Sequence, residues 1–292
     1  MAEYDEFRKN LIKFLRMELK EMEVSVRAVR KNNGVEKEGL SISGGEKVFT
    51  PILYVQDLYQ YYQKTKNMEE IAGMIENLIH DDREIRREDL MGAWEECRQR
   101  ISMRLINEEW NREYLETVPH IDILDLSVVF YLIVQETGRE ILSLPVLNEM
   151  MDCWDVSLDE LFKAGMGNMV NQEQVCIFDL KTAISDVLGV EIKEEIPDDG
   201  LYILSNKRYC HGAVGILHKD VLLEFAEKME RNLYILPSSV HELVIITDAE
   251  NISPDYLKNM VESINESHVL PEERLSNSVY YFKRETGEVE KL

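Results

Sequence analysis

The sequence lacks the short motifs that mark common metal, nucleotide and serine-hydrolase sites. Its six histidines form neither HExxH nor His-x-His, which argues against a zinc site. GxGxxG and GxxxxGK are both missing, so no phosphate cradle is indicated, and there is no GxSxG nucleophile turn. We therefore expect neither a metal nor a cofactor, and no motif identifies an activity.

Cysteine is scarce and scattered. The four cysteines, Cys97, Cys153, Cys176 and Cys210, include no CxxC pair. That spacing favours reduced thiols, packed as small apolar side chains, over a disulfide framework or a zinc site.

Long apolar runs are also missing. The longest candidate, LSVVFYLIV at 126–134, has the length of a strand, well short of the eighteen or so residues of a membrane span. The first two dozen residues carry charges throughout, so they do not form a secretory apolar segment. These features predict a cytoplasmic protein that does not enter a membrane.

Basic residues are outnumbered: 33 Lys and Arg stand against 56 Asp and Glu, a formal net charge of −23. Phosphate contacts draw on lysine and arginine, so we expect no nucleic-acid ligand. An acidic surface suits a basic protein partner, DNA mimicry or plain solubility. A protein partner therefore stays open, and so does the oligomeric state.

The order of patterns predicts two domains joined by a charged helix. Residues 1–80 predict a helix, a hairpin with its turn at KNNG, and further helices. Residues 81–100 carry a thin apolar stripe among many charges and predict a connecting helix. Residues 101–292 mix strand and helix patterns and predict an α+β domain.

An internal echo lies in the last third of the chain. LYIL at 201–204 and again at 233–236 is followed each time by a polar turn, an apolar segment and a helix pattern. We interpret 201–232 and 233–266 as a tandem strand-strand-helix repeat, with AVGIL as the second strand of the first copy. The predicted fold class is α+β: repeated strand-strand-helix units forming antiparallel-rich sheets with helices packed on one face.

The stretch LPSSVHE at 236–242 is the most chemistry-like in the chain. Ser238, Ser239, His241 and Glu242 are candidate catalytic residues for a serine nucleophile with its base. If a strand begins near Val240, Ser239 and His241 share a face and Glu242 points away, so the three cannot form a relay. The same residues also make an ordinary turn whose hydroxyls bind backbone N–H groups.

A second candidate is the basic turn SNKRY at 205–209. Lys207 and Arg208 are candidate ligand-binding residues for a carboxylate or phosphate, although basic turns are often only solvated. His120, after Pro119, is a third candidate for ligand binding, with the orientation of a turn as its structural alternative.

Four segments of the chain, in order, are INEEWNREYLETVPHIDILDLSVVFYLIV, WDVSLDELFKAGMGNM, LYILSNKRYCHGAVGIL and LYILPSSVHE, and they include the patterns NxxxLxxVPHxxxLDL, LYxLSNKxxxxGA and LYxLPSSxHE. These blocks resemble an uncharacterised bacterial family defined only as a domain of unknown function, common in anaerobic Gram-positive bacteria. Around residues 123–169 the chain is also distantly similar to the YtpQ-like uncharacterised family. The resemblance implies no activity, substrate or cofactor. Its blocks contain Asn107, Asn111, Pro119, His120, Asp125, Asn168, Ser205, Asn206, Lys207, Gly212, Ser238, Ser239, His241 and Glu242.

Two hypotheses of function follow. The first is a cytoplasmic, non-enzymatic protein-interaction or regulatory factor, favoured because catalytic and cofactor motifs are missing. The alternative is a hydrolase-type enzyme with a Ser/His site at the LPSSVHE turn, helped by Lys207 and Arg208 from the neighbouring copy of the repeat.

Overall fold

The structure, a computed structural model, describes residues 2–20, 22–43, 52–79, 92–137, 140–189, 200–248 and 252–292. The chain divides into two compact units, residues 1–91 and residues 92–292. Each unit has its own buried apolar cluster.

Unit 1 packs helices on a small antiparallel sheet. Its elements are α1 (Ala2–Glu18), β1 (Glu23–Arg30), β2 (Glu36–Ser43), β3 (Leu53–Tyr54), α2 (Val55–Thr65) and α3 (Met68–Ile79). The predicted hairpin is confirmed: β1 pairs antiparallel with β2, and Asn33 and Gly34 of the turn both have positive φ. The helices bury one apolar side each, because their apolar residues recur at three- and four-residue spacing.

Unit 2 contains, in chain order, α4 (Trp94–Cys97), β4 (Ile101–Asn107), α5 (Arg112–Leu115), β5 (His120–Ile123), β6 (Leu126–Thr137), β7 (Glu140–Pro145), α6 (Asn148–Trp154), α7 (Leu158–Asn168), β8 (Val175–Asp179), α8 (Leu180–Leu188), β9 (Leu201–Asn206), α9 (Lys219–Met229), β10 (Leu233–Leu236), β11 (Leu243–Thr247), α10 (Pro254–His268), β12 (Tyr280–Lys283) and β13 (Glu288–Lys291). Short 3₁₀ segments lie at 98–100, 109–111, 212–217 and 271–273, and a π-helical turn lies at 169–173.

Two antiparallel sheets form the frame of unit 2. In the first, β6 pairs with β4, β5 and β7. In the second, the order of the strands is β13-β12-β10-β11-β9-β8. The predicted α+β class with antiparallel sheets is confirmed.

Helices cover both faces of the second sheet, so the prediction of helices on one face is wrong here. Leu233 and Ile235 of β10 belong to the main core, together with buried residues of α9. Tyr234 and Leu236, which point the other way, join a separate cluster with buried residues of α10. The strand is apolar throughout because each of its faces is buried.

The first copy of the predicted repeat differs from the second. The second copy is β10, β11 and α10, in the order expected. In the first copy, β9 leads into a 3₁₀ helix, Gly212–Leu217, where we predicted a strand at AVGIL. A short, wholly buried apolar run fits either structure, and its period alone does not decide between them.

More than half of the predicted connecting helix, residues 81–100, lies outside the described residues. Residues 80–91 fall outside the described residues. The remainder of the 81–100 segment forms α4 and the 3₁₀ turn at 98–100. Other local predictions hold: Ser157 caps α7 in a capping box with Glu160, and Ser253 caps α10 with Pro254 in its first turn.

Candidate active site around Cys210 and His241

The loop after β9 is held in an unusual conformation. Tyr209 and His211 both have positive φ, 52° and 53°, which non-glycine residues rarely adopt. The Asn206 side chain fixes the loop: Nδ2 donates to the Cys210 carbonyl at 2.8 Å, and Oδ1 accepts from the Cys210 N–H at 3.3 Å. Such strain persists only where the surroundings impose it, and it is concentrated at functional sites. Cys210 sits between the two strained residues.

His241 is fixed through its backbone. Its carbonyl accepts from Ser205 Oγ at 2.8 Å and from the Gly212 N–H at 2.9 Å. Its own N–H donates to Ser239 Oγ at 3.0 Å. The first two hydrogen bonds join the β10–β11 connection to β9 and to the 3₁₀ helix that follows the Cys210 loop, and the third lies within the connection.

The imidazole of His241 lies among groups that can exchange a proton. Its Nε2 is 3.5 Å from Glu273 Oε1, and its Nδ1 accepts from the His211 N–H at 3.2 Å. The two histidine rings pack with their centroids 5.1 Å apart. The neighbouring Cys210 side chain raises the pKa of His241; burial lowers it, and the Glu273 charge raises it again, for a net rise.

Two arginines interact electrostatically with the thiol. The charges of Arg208 and Arg104 both act on Cys210. Arg208 reaches across to the first sheet, where its Nη1 and Nη2 donate to the two Glu136 carboxylate oxygens at 2.7 and 2.8 Å. Reactive cysteines typically sit in electropositive, partly exposed surroundings, and Cys210 is partly exposed.

The two serines predicted as candidate nucleophiles are buried, and one of them has a structural role. Ser238 and Ser239 are 5% and 4% exposed. The Ser239 hydroxyl accepts the His241 backbone N–H, as the turn interpretation expects. The predicted strand start near Val240 is wrong, since β11 begins at Leu243.

Glu242 consequently lies near His241, where we predicted opposite faces. Its carboxyl group hydrogen-bonds with the Ser239 side chain, and its charge interacts with that of His241. Burial raises the pKa of Glu242, against the opposing effects of His241 and Ser239.

The predicted ligand-binding residues are separated. Lys207 is exposed, and no described residue pairs with it. Arg208 already holds the Glu136 carboxylate. His120 opens β5, and its Nδ1 lies 3.0 Å from the Val118 carbonyl, as in the structural alternative. Of these three, Arg208 belongs to the Cys210 surroundings.

Two functional candidates escaped the sequence reasoning. Cys210 was interpreted only as a packed thiol, and Glu273 was not considered. Cys210 and His241 are 31 positions apart in the chain, and no motif joins them. One usable signal was that the turns after the two LYIL segments carry a cysteine and a histidine respectively.

A separate cavity of about 370 Å³ opens beside Asp125. Its lining also includes Glu108, Trp110, Arg112, Asn277 and Lys291. Asp125 is committed to the fold there, because it accepts from Ser276 Oγ at 2.8 Å, from Ser278 Oγ at 2.6 Å and from the Tyr280 hydroxyl.

Many residues of the resemblance blocks are likewise structural. Asn168 Nδ2 donates to the carbonyls of Arg98 and Ile101, both at 2.8 Å. Asn107 Nδ2 donates to the Leu275 carbonyl at 3.0 Å, and Asn111 Nδ2 to the Asn107 carbonyl at 2.8 Å. The blocks are therefore in large part a signature of the fold.

Within the described ranges, no cluster of three or more His, Cys, Asp or Glu side chains is arranged to hold a metal ion. Over those same ranges, none of the helices combines the length and apolar character needed to cross a bilayer.

Comparison with known proteins confirms the resemblance to an uncharacterised family, while the similarity to the YtpQ-like family stays a prediction. No curated protein and no solved structure matches the chain. A family model does match, over residues 4–284. The chain belongs to the family of unknown function DUF5688.

Proposed function

We propose that this protein is a cysteine-dependent hydrolase in which Cys210 is the nucleophile and His241 its base. The observation that carries the proposal is the position of His241 beside Cys210: its Nδ1 accepts from the N–H of the next residue, His211, and Cys210 lies in a loop with positive φ on both sides of it. The Cys210 side chain is close enough to raise the pKa of His241. Glu273, 3.5 Å from Nε2, is the group that orients the ring and balances its charge. This proposal replaces the serine nucleophile of the alternative hypothesis, a hydrolase with a Ser/His site, with the thiol of Cys210.

The chemistry follows from these contacts. His241 takes the proton of the Cys210 thiol, and the sulfur attacks the carbonyl carbon of an acyl substrate. The bond to the leaving group breaks, and the leaving group departs with the proton from the imidazolium. Water then cleaves the thioester, which releases the acid and restores the thiol.

Protonation of His241 has a local consequence. A protonated imidazole has two N–H donors and no acceptor, so the His211 N–H loses its partner at Nδ1. The charges of Glu273 and Glu242 both raise the pKa of His241 and stabilise the imidazolium. The strained His211 is therefore the residue expected to move when the proton is transferred.

The direct test is acylation by p-nitrophenyl acetate, followed by peptide mass spectrometry. We expect acetyl transiently on Cys210, none in Cys210→Ala, and acetylation unchanged in Cys153→Ala, which removes another exposed thiol. Acetyl that accumulates on Ser239, or equally on Cys153 and Cys210, would contradict the proposal.

A protein-interaction or regulatory role without catalysis stays a prediction. The large apolar side chains exposed on unit 2 stand at single positions on several elements, such as Val170, Val187, Tyr256 and Leu270. Single exposed apolar residues are ordinary for a soluble protein, so they define no docking surface.

A further inference from the structure

One face of the first sheet in unit 2 carries a charged side chain where an apolar one is expected. Along β4, Met103 and Leu105 point into the main core. Ser102, Arg104 and Ile106 alternate with them and lie on the other face. Arg104 therefore projects from the middle of a sheet whose neighbouring residues are mostly buried.

The Arg104 guanidinium is held flat against an aromatic ring, and much of it is buried. Its Cζ lies 3.7 Å from the centre of the Tyr131 ring, and its Nη2 donates to Ser143 Oγ. The Tyr131 hydroxyl in turn lies 3.4 Å from the Tyr114 hydroxyl. Burial lowers the pKa of Arg104, which reflects the cost of removing this charge from solvent.

The contacts of the Arg104 guanidinium are with an aromatic ring and a hydroxyl group, both uncharged. Among the described residues, no carboxylate forms an ion pair with it. Its Nε is buried and, within the described part of the chain, has no hydrogen-bond partner. Glu173, whose charge acts on Arg104, is engaged elsewhere, since its Oε1 accepts from Ser102 Oγ at 2.9 Å.

A buried guanidinium left in this state is unfavourable. An uncompensated buried charge and a buried donor without an acceptor both destabilise the folded state. A ligand anion would offset these costs, and arginine is the side chain that best matches planar oxyanions. The residue keeps partial exposure, so a ligand can approach it.

Arg104 is also close to the proposed nucleophile. Its charge and that of Cys210 act on each other. The bidentate Arg208–Glu136 pair connects the Cys210 loop to β6, so the sheet face and the loop border one region.

We propose that Arg104 binds the oxyanion group, carboxylate or phosphate, of the molecule on which Cys210 acts. The inference deepens the proposed function and rests on it: the substrate class becomes an acyl compound that carries a negative charge. Arg104 is the specificity-determining residue, while Arg208 keeps its internal carboxylate.

Iodoacetate and iodoacetamide test this assignment, because both alkylate a thiol with loss of iodide and only iodoacetate is anionic. The rate of alkylation by iodoacetate divided by the rate of alkylation by iodoacetamide at Cys210, measured by peptide mass spectrometry, reports recruitment of the anion. The same ratio at the exposed Cys153 is the internal reference. We expect the normalised ratio to fall roughly tenfold in Arg104→Gln, the loss of one charge-assisted contact. Arg112→Gln, which removes an equal charge from an exposed site, is the matched control and should leave the ratio unchanged.

Competition in the unaltered protein gives a second readout that does not depend on the folding of a variant. The ionic strength is held constant with chloride. Added succinate or inorganic phosphate should then slow alkylation by iodoacetate at Cys210 and leave alkylation at Cys153 unchanged. Protection by succinate alone assigns a carboxylate, and protection by phosphate alone assigns a phosphate. A ratio in Arg104→Gln equal to that of the wild type, or no protection by either anion, would overturn the inference.

Failure of the proposed function looks different. If Cys210 is not acetylated by p-nitrophenyl acetate and yet the ratio falls in Arg104→Gln, the anion site stands and the hydrolase does not. If acetylation occurs and the ratio is unaffected, the hydrolase stands and Arg104 has another role.

Discussion

Asp125 shows how one carboxylate can organise a neighbourhood. It accepts hydrogen bonds from Ser276, Ser278 and Tyr280, and the Tyr280 side chain is fully buried. Burial raises the pKa of Asp125, but these hydrogen bonds outweigh it and hold the pKa below its usual value of 3.8. The charged form is thus the native one, and Lys291 adds to its stability from 3.9 Å.

Replacing Asp125 with alanine should destabilise the protein by about 3 kcal/mol, because several hydroxyl donors lose a charged acceptor. The midpoint of urea unfolding measures this change. Glu109→Ala, which removes an exposed carboxylate from the same unit, should alter stability by less than about 0.5 kcal/mol. Equal effects of the two substitutions would show that Asp125 is an ordinary surface acid.

The direction of the Asp125 pKa shift determines how its contribution to stability depends on pH. A carboxylate whose folded pKa is lowered stabilises the native state above its unfolded pKa. The contribution of Asp125 is therefore present above about pH 4 and is lost as the pH falls through its depressed folded pKa. Asp125→Asn should be less stable than the wild type at neutral pH and should show a shallower loss of stability in acid.

At the scale of elements, the loop after β9 and the 3₁₀ helix that follows it depend on a close approach at Gly212. A Cβ placed there would lie 2.2 Å from Ser205 Oγ and 2.5 Å from the Asn206 backbone nitrogen. The Gly212 N–H also donates to the His241 carbonyl, so a shift at this point moves the proposed base.

Gly212→Ala should therefore destabilise the protein by about 1–3 kcal/mol and reduce the reactivity of Cys210. Gly167→Ala is the matched control: it lies in α7 with nothing within 4 Å of its added Cβ, and it should be neutral or slightly stabilising. Urea unfolding and alkylation of Cys210 report the two effects. Normal reactivity of Cys210 in Gly212→Ala would show that the site does not depend on the loop conformation at Gly212.

The same elements show what could be predicted from the sequence. Periodicity located the unit 1 hairpin, α7 with its Ser157 cap and the strand at β6, because local pattern and burial agree there. AVGIL was mispredicted because its conformation is set by tertiary contacts, including the approach at Gly212, which no local pattern encodes. Cys210, His241 and Glu273 meet only through the pairing of β9, β10 and β11, so their proximity was likewise hidden.

At the scale of the whole molecule, a net charge of −23 contrasts with the local charge at the site. Arg104 and Arg208 act on Cys210 from one unit of an otherwise acidic protein. An acidic surface repels anions at long range, whereas buried and partly buried contacts are screened far less. Selection of an anionic substrate would then depend on the site itself, with little help from electrostatic steering.

The central claim, that His241 activates Cys210, is tested most directly by the pH dependence of Cys210 alkylation. Rates with iodoacetamide between pH 5 and 9 would be compared in the wild type, His241→Gln and the exposed control His268→Gln, with Cys153 as internal reference. Because the pKa of His241 is raised, its protonated form persists to higher pH than that of an ordinary histidine. We predict that wild type and His268→Gln exceed His241→Gln by about tenfold at neutral to mildly alkaline pH, where His241 is neutral and can take the thiol proton. The difference should shrink as the pH falls through the raised pKa of His241. Profiles of Cys210 that coincide in all three proteins would contradict the account.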